Sequence, residues 1–125
     1  MIGNPFLRAF CESSDRDTGI NQLLELLHNQ DSEFIESLTE PVELDRCTEE
    51  ELCYLTIVSA LIDYYLQRHG LPVPPWIRDS RLSFAKPFFY SRRLSDLEKV
   101  RLLYSCPAPF KARNVYFDPA GICRV

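Results

Sequence analysis

The sequence predicts a mostly α-helical single domain over residues 1–125, a small helical fold around one central buried helix at residues 48–69. Hydrophobic residues make up 46% and charged residues 26% of the 125 residues, as in an ordinary globular domain. Apolar side chains recur at helical spacing between recognisable caps, and most prolines lie in the second half of the chain. We therefore expect helices first, then an irregular segment rich in proline and aromatic residues, and a short C-terminal β-hairpin.

The first forty residues predict two short helices behind an N-terminal arm. We expect residues 1–15 to form a loosely ordered arm of the domain. Asp31 or Ser32 can cap a second helix, and Pro41 ends it, so two short helices are favoured over one bent helix. The apolar positions that form their common stripe are Ile20, Leu23, Leu24, Leu27, Phe34, Ile35 and Leu38.

The central helix has the clearest boundaries in the sequence. Thr48 and Glu51 form a capping box at its start. At its end, His69 suits the negative pole of the helix dipole, Gly70 can adopt the left-handed cap, and Pro72 prevents continuation. These signals predict a helix of about six turns.

Asp63 is the unusual residue of the central helix, which is otherwise apolar on nearly all sides and therefore predicted to be buried. An isolated carboxylate in a protein core is costly. We expect Asp63 to pair with an arginine from residues 71–125 or with a hydroxyl group. The large apolar residues around it are Leu52, Tyr54, Leu55, Ile57, Val58, Leu61, Ile62, Tyr65 and Leu66.

Residues 71–93 predict extended or irregular chain. Their aromatic rings are too numerous for a solvated linker, so we expect the segment to lie across the helices and bury them. The run Leu71–Trp76 leaves a second interpretation open, a polyproline ligand for an aromatic groove. The residues behind this prediction are Pro72, Pro74, Pro75, Trp76, Phe84, Pro87, Phe88, Phe89 and Tyr90.

The last thirty residues predict one helix and a hairpin. Ser95 and Glu98 form a second capping box, and Pro107 terminates the helix. Val115–Phe117 favours a strand, and Ile122–Val125 can follow it as the second strand of the hairpin. The apolar face of the helix consists of Leu97, Val100, Leu103 and Tyr104.

The residue types give no legible catalytic, metal or cofactor site. Two histidines occur without cysteine pairs at zinc-site spacing, and the four glycines are isolated, which excludes a glycine-rich phosphate cradle. Glu49–Glu51 look like a carboxylate cluster for acid–base chemistry, but in a first helical turn they complement the helix dipole. We expect no enzyme activity, no metal and no cofactor.

Cysteine usage and hydropathy predict a cytoplasmic protein. The five cysteines are scattered without close pairs and are expected to be reduced and mostly buried. The sequence has no apolar run of the roughly 18 residues that a membrane span requires, and no secretory pattern at its start. We expect no membrane association.

Charge divides the chain into two halves. Residues 1–70 carry four basic and fourteen acidic side chains, a balance of −10, and residues 71–125 carry ten basic and four acidic ones, a balance of +6. Three interpretations remain open: the halves pair with each other, one face docks an oppositely charged protein, or the basic half contacts nucleic acid. The candidate contact residues, whose cationic groups suit carboxylate or phosphate, are Arg92, Arg93, Lys111 and Arg113.

Three segments resemble a known family: Leu71–Trp76, Pro87–Phe89 and Cys106–Phe117, together with the central helix that ends in a glycine before the Pro and Trp motif. The combination resembles an uncharacterised bacterial domain that occurs alone or behind a helix-turn-helix module, described as antitoxin-like or regulator-associated. The similarity covers about residues 20–125 and implies regulation or protein interaction, without catalytic residues. Because no helix-turn-helix module fits ahead of residue 20, a DNA-binding role tied to that module is not implied.

Function follows from these observations only as a class. The first hypothesis is a non-enzymatic protein-interaction module, an antitoxin-like or regulatory partner that binds another protein or forms a homo-oligomer. The alternative is a nucleic-acid-contacting regulator that uses the basic C-terminal half. The third is a small enzyme with an unrecognised site, which requires a polar pocket with converging titratable groups.

Overall fold

The computed structural model describes residues 3–13, 15–90 and 94–117, without the side chain of residue 16. The described chain is mostly helical, as predicted, and none of its helices has the length and hydropathy needed to cross a bilayer. Two short 3₁₀ turns, Leu44–Arg46 and Pro75–Arg78, complete the connections. The elements are α1 (Pro5–Cys11), α2 (Arg16–His28), α3 (Ser32–Ser37), α4 (Glu49–Arg68), β1 (Phe88–Phe89), α5 (Asp96–Ser105), α6 (Ala108–Arg113) and β2 (Val115–Tyr116).

The longest helix, α4, lies at the centre of the fold, which confirms the predicted central helix. Its capping box is complete: the Glu51 N–H donates to Thr48 Oγ1 at 3.2 Å, and the Thr48 N–H donates to Glu51 Oε1 at 3.0 Å. Gly70, with a φ of +67°, supplies the left-handed cap after its end. The residues that α4 buries are Tyr54, Leu55, Thr56, Ile57, Val58, Ser59, Ala60, Leu61, Ile62, Asp63, Tyr65 and Leu66.

The N-terminal region contains a helix where the sequence predicted a loosely ordered arm over residues 1–15. Asn4 caps α1, because its side-chain oxygen accepts the N–H groups of Phe6 and Leu7 at 2.9 and 3.2 Å. Leu7 and Phe10 are buried in the core. The expectation is therefore corrected for Pro5–Cys11, where apolar packing holds the chain in place.

The helices α2 and α3 are separate, as the sequence predicted. Gln30 adopts a left-handed conformation between them, with a φ of +53°. Asp31 then caps α3, because its side chain accepts the Phe34 N–H at 2.9 Å. The break lets both short helices turn their apolar residues toward the same core.

Gly19 in α2 occupies a position where a side chain does not fit. A Cβ atom there would lie 2.6 Å from the Phe10 backbone oxygen and 2.8 Å from Ser13 Oγ, and would also overlap the Tyr54 hydroxyl oxygen. Because the Phe10 carbonyl belongs to the backbone of α1, Gly19→Ala must push α1 away from α2. We expect it to lower the free energy of unfolding by about 1–3 kcal/mol in urea denaturation. Asn21→Ala on the exposed face of α2 is the control, with a change below about 0.5 kcal/mol; equal effects of the two would contradict this packing.

The proline- and aromatic-rich segment lies across the helices and contributes to the core. The Trp76 indole is buried and donates its Nε1–H to the Leu38 backbone oxygen at 2.8 Å, which ties the segment to the end of α3. Ile77 and Leu82 are buried as well. The later rings of the segment, from Phe84 onward, are half-buried against this core.

The strands β1 and β2 form a two-stranded parallel sheet, with Phe88 opposite Val115 and Phe89 opposite Tyr116. A strand was predicted at Val115–Phe117, but its partner is β1, which lies in the segment expected to be irregular. The predicted second strand of the hairpin, residues 122–125, lies outside the described residues. The short helix α6 precedes β2, and Asn114 ends it with a left-handed φ of +60°.

Candidate functional site

Asp63 lies in the core beside two arginines and a glutamine. Its Oδ2 atom accepts hydrogen bonds from Arg113 Nη2 at 2.8 Å and Arg78 Nε at 3.2 Å. Its Oδ1 atom accepts from Gln67 Nε2 at 2.8 Å and Arg78 Nη2 at 3.1 Å. Both arginines belong to the basic half of the sequence, so one acidic and two basic groups join the halves in the interior.

The Arg113 guanidinium is held by α4, α6 and the turn at Pro75–Arg78. Its Nε donates to Ser59 Oγ at 3.0 Å, its Nη1 to the Pro109 backbone oxygen at 2.7 Å, and its Nη2 to the Ile77 backbone oxygen at 2.7 Å. Every guanidinium nitrogen thus has an acceptor, which a buried cation requires. The planar group fixes the relative positions of three elements.

The surroundings keep Asp63 ionised. Burial alone would raise the pKa of its carboxyl, but hydrogen bonds from Arg78, Gln67 and Arg113 outweigh burial and place the pKa below its ordinary value. The outer arginine, Arg78, is half exposed, whereas Arg113 is only 4% exposed. The buried Arg113 therefore attracts the Asp63 carboxylate more strongly than the half-exposed Arg78 does, because charges interact more strongly in a low-dielectric environment.

A cleft of about 450 Å³ opens beside this cluster. Its polar groups are bonded to one another or to neighbouring side chains: the adjacent Arg81 binds the Asp79 carboxylate at 3.0 Å, and the Ser83 hydroxyl donates to the Ser80 backbone oxygen at 3.0 Å. Since the Asp63 carboxylate is also occupied by four donors, it would have to break arginine contacts before taking a proton from a substrate. The geometry therefore fits a structural role, in which the cluster around Asp63 holds α4, α6 and the turn at Pro75–Arg78 together.

The helix α5 exposes apolar side chains to solvent. Leu97, Val100 and Tyr104 are 63%, 47% and 80% exposed, and we call this set the α5 stripe. At 3.6 residues per turn the three positions fall within about 60° of one another around the helix axis. The opposite side of α5 carries Leu102, the one residue that it buries among those described. The predicted apolar face thus points largely outward, and Leu103 is half-buried.

Exposed cations lie beside the α5 stripe. Lys111 donates its Nζ to the Tyr104 backbone oxygen at 2.8 Å. Arg101 is exposed and lies about 40° from Leu97 around the helix axis. Lys99 lies on the Leu102 side of α5 instead, with its Nζ 5.7 Å from the centroid of the Phe89 ring. The stripe therefore has a basic border.

The predicted contact set Arg92, Arg93, Lys111 and Arg113 does not form one surface patch in the described residues. The prediction of a contact role for Arg113 is corrected, because its guanidinium is turned inward and bonded to Asp63. It cannot contact phosphate from this position. Lys111 is exposed. Arg92 and Arg93 lie outside the described residues.

A second cleft, of about 530 Å³, lies between α1 and the first turns of α4, and we call it the acidic cleft. Phe10 and Tyr54 are the large side chains of its lining, and Glu49 and Glu50 are exposed. Its described lining contains several carboxylates and no lysine or arginine. Among the described residues, the lining consists of Phe10, Cys11, Ser13, Asp15, Glu49, Glu50, Glu51, Cys53 and Tyr54.

The Cys11 and Cys47 thiols near the acidic cleft are poor nucleophiles. Burial, with smaller contributions from Glu51 and Cys47, raises the pKa of the Cys11 thiol to about 12. Burial also raises the pKa of Cys47. A nucleophilic cysteine requires a lowered pKa, so these two residues fit a structural role. Within the described ranges, no group of three His, Cys, Asp or Glu side chains is placed to hold a metal ion.

No family model, curated protein or solved structure matches this chain. The resemblance to the antitoxin-like bacterial domain thus stays a prediction from the motifs at residues 71–76, 87–89 and 106–117.

The sequence did not predict two features of the structure, the role of Arg78 and the orientation of α5. Arg78 was not singled out as a partner of Asp63, because the 3₁₀ turn that aims it inward was not predicted. The sequence did hold a signal for the orientation of α5. Leu102 lies about 140° from Leu97 around the helix axis, so the apolar residues of α5 cannot all face one core. The sequence alone did not show which side the core takes.

Proposed function

We propose that the protein is a non-enzymatic protein-interaction module, a regulatory partner of the antitoxin-like kind, that docks through the α5 stripe. One observation carries the proposal: Leu97, Val100 and Tyr104 stand exposed on one face of a helix that buries Leu102 on its other side. Scattered apolar residues on a surface are ordinary, but a contiguous set on one helix face is typical of a binding surface.

The spacing of the stripe fits insertion of α5 into a groove. Positions 97, 100 and 104 correspond to i, i+3 and i+7, the anchors that amphipathic helices use when they bind along a hydrophobic groove. Full burial of a large apolar side chain contributes about 1.5–3 kcal/mol. Tyr104 adds a rigid aromatic group of the type enriched in interface centres.

The border of the stripe indicates the charge of its partner. Arg101 and Lys111 lie beside it, with Asp96 and Glu98 at the start of the helix. A groove with an acidic rim would be steered toward this surface and held in register. The inward position of Arg113 leaves less support for the alternative of a phosphate-binding face.

The proposal is tested by affinity capture from extracts of the cells that express the protein, with wild type and Val100→Glu as baits. Because Val100 is exposed, the substitution is expected to leave the melting temperature unchanged while placing a charge in the centre of the stripe. We expect recovery of the partner to fall at least about tenfold, the equivalent of 1.4 kcal/mol.

Leu71→Glu is the matched control, since Leu71 is an exposed leucine outside α5. It introduces the same charge and should capture the partner as wild type does. Equal recovery by wild type and Val100→Glu would refute a role for the stripe.

A further inference from the structure

The acidic cleft has the properties of a groove that could receive the α5 stripe. Large side chains of Phe10 and Tyr54 line it, beside the exposed Cys53. Its volume, about 530 Å³, lies within the range of clefts that bind ligands. Exposed carboxylates of Glu49 and Glu50 stand along the start of α4.

The stripe and the cleft are complementary in chemistry. The stripe has an apolar centre, Val100 and Tyr104, with cations of Arg101 and Lys111 beside it. The cleft has apolar lining, carboxylates and no cation among its described lining residues. The same division runs through the sequence, −10 for residues 1–70 and +6 for residues 71–125. The two surfaces share no residue, so one copy can use both.

We propose that the occupant of the acidic cleft is the α5 stripe of a second copy of this chain, so that copies associate head to tail. The inference rests on the proposed function, because it assigns a partner to the same stripe. Attraction between the basic border and the carboxylates sets the orientation, and burial of Tyr104 and Val100 supplies affinity.

Pairing of two stripes across a two-fold axis is less favourable. The midpoint of α5, Asp96–Ser105, lies between Val100 and Arg101. An antiparallel pair of α5 helices would thus bring two Arg101 side chains together near the axis, and like charges at an interface are repulsive. In the head-to-tail arrangement, Arg101 faces carboxylates instead.

A head-to-tail interface makes a specific prediction about assembly, because such contacts form open chains or rings rather than closed two-fold dimers. In analytical ultracentrifugation, the wild-type mass should rise with protein concentration beyond that of a dimer. Salt screens the charges at the border, so we expect the affinity to fall about tenfold between low and high salt.

Mixing two defective variants decides between self-association and other partners. Val100→Glu blocks the stripe, and Glu50→Lys blocks the cleft; each alone should remain at the monomer mass of 14.6 kDa. Together they retain one intact stripe and one intact cleft, so an equimolar mixture should form a 1:1 dimer and stop there. Cys53→Arg, also at an exposed position of the cleft, is the second cleft variant if Glu50→Lys weakens α4.

Three results would overturn the inference: a wild type that stays monomeric at every concentration, a mixture that stays monomeric, or a Val100→Glu variant that still assembles. A monomeric wild type that nevertheless loses a captured protein on Val100→Glu substitution would leave the proposed function standing with a different partner. If the wild type stayed monomeric and also captured no more protein than Val100→Glu does, the stripe would not be a binding surface.

Discussion

Asp63→Asn is expected to lower the free energy of unfolding by about 3–5 kcal/mol, the usual cost of removing one member of a buried ion pair. The substitution keeps the size of the side chain but leaves the Arg113 guanidinium in the core without its counter-charge. The amide can still bond to Gln67, so most of the loss is electrostatic. Urea denaturation at neutral pH measures it.

Arg78→Gln is the matched control for Asp63→Asn. Arg78 bonds to the same carboxylate, but its side chain is half exposed and screened by solvent, so we expect a much smaller loss than for Asp63→Asn. The double variant Asp63→Leu/Arg113→Met should recover part of the loss, because it removes both buried charges. An Asp63→Asn protein as stable as wild type would show that the buried pair does not support the fold.

The same pair predicts how stability depends on pH. The folded state lowers the Asp63 pKa, so the contribution of this group is fully present above its unfolded pKa of about 3.9. The contribution is lost as pH falls through the lowered folded value. The stability difference between wild type and Asp63→Asn should therefore shrink on acidification below pH about 4, and a growing difference would contradict the sign of the shift.

Phe34→Ala is expected to cost about 3–5 kcal/mol, because it creates a cavity where α3 packs against α1. The Phe34 ring is fully buried and lies edge-on to Phe6 and Phe10 of α1, with centroids 5.4 and 5.9 Å apart. Its loss should release α1 as well as loosen α3. Urea denaturation gives the free energy, and limited proteolysis detects the release of residues 5–11.

Phe34→Leu separates cavity formation from the loss of ring contacts. Leucine fills most of the space, so we expect the cost to stay below about 1.5 kcal/mol and α1 to remain protected from proteolysis. If Phe34→Ala left α1 protected, α1 would depend on contacts other than this ring.

The starts of α4 and α5 could be predicted because they depend on local chemistry. Thr48 with Glu51 and Ser95 with Glu98 make the hydrogen bonds of a capping box within four residues of chain. The central place of α4 could also be predicted, since few helices are apolar on all sides unless buried. The pairing of Asp63 could be predicted for the same reason, because a carboxylate on a buried helix needs a partner.

The remaining features depend on contacts between distant residues. The cap of α1, Asn4, lies before a helix of seven residues, too short for an apolar period to be recognised. Parallel pairing of β1 with β2 joins segments that no turn connects. The inward turn of Arg113 depends on Ser59 and Asp63, which are more than forty residues away in sequence.

The separation of 50 positions between Asp63 and Arg113 has a consequence for synthesis of the protein. A ribosome that has made only α1 to α4 has produced the carboxylate but not the guanidinium that neutralises it in the core. A truncated chain that stops before α6 would have to bury that negative charge without Arg113 or leave α4 unpacked. Stable burial of α4 therefore waits until α6 has left the exit tunnel, and earlier stops should yield fragments that proteases and chaperones recognise.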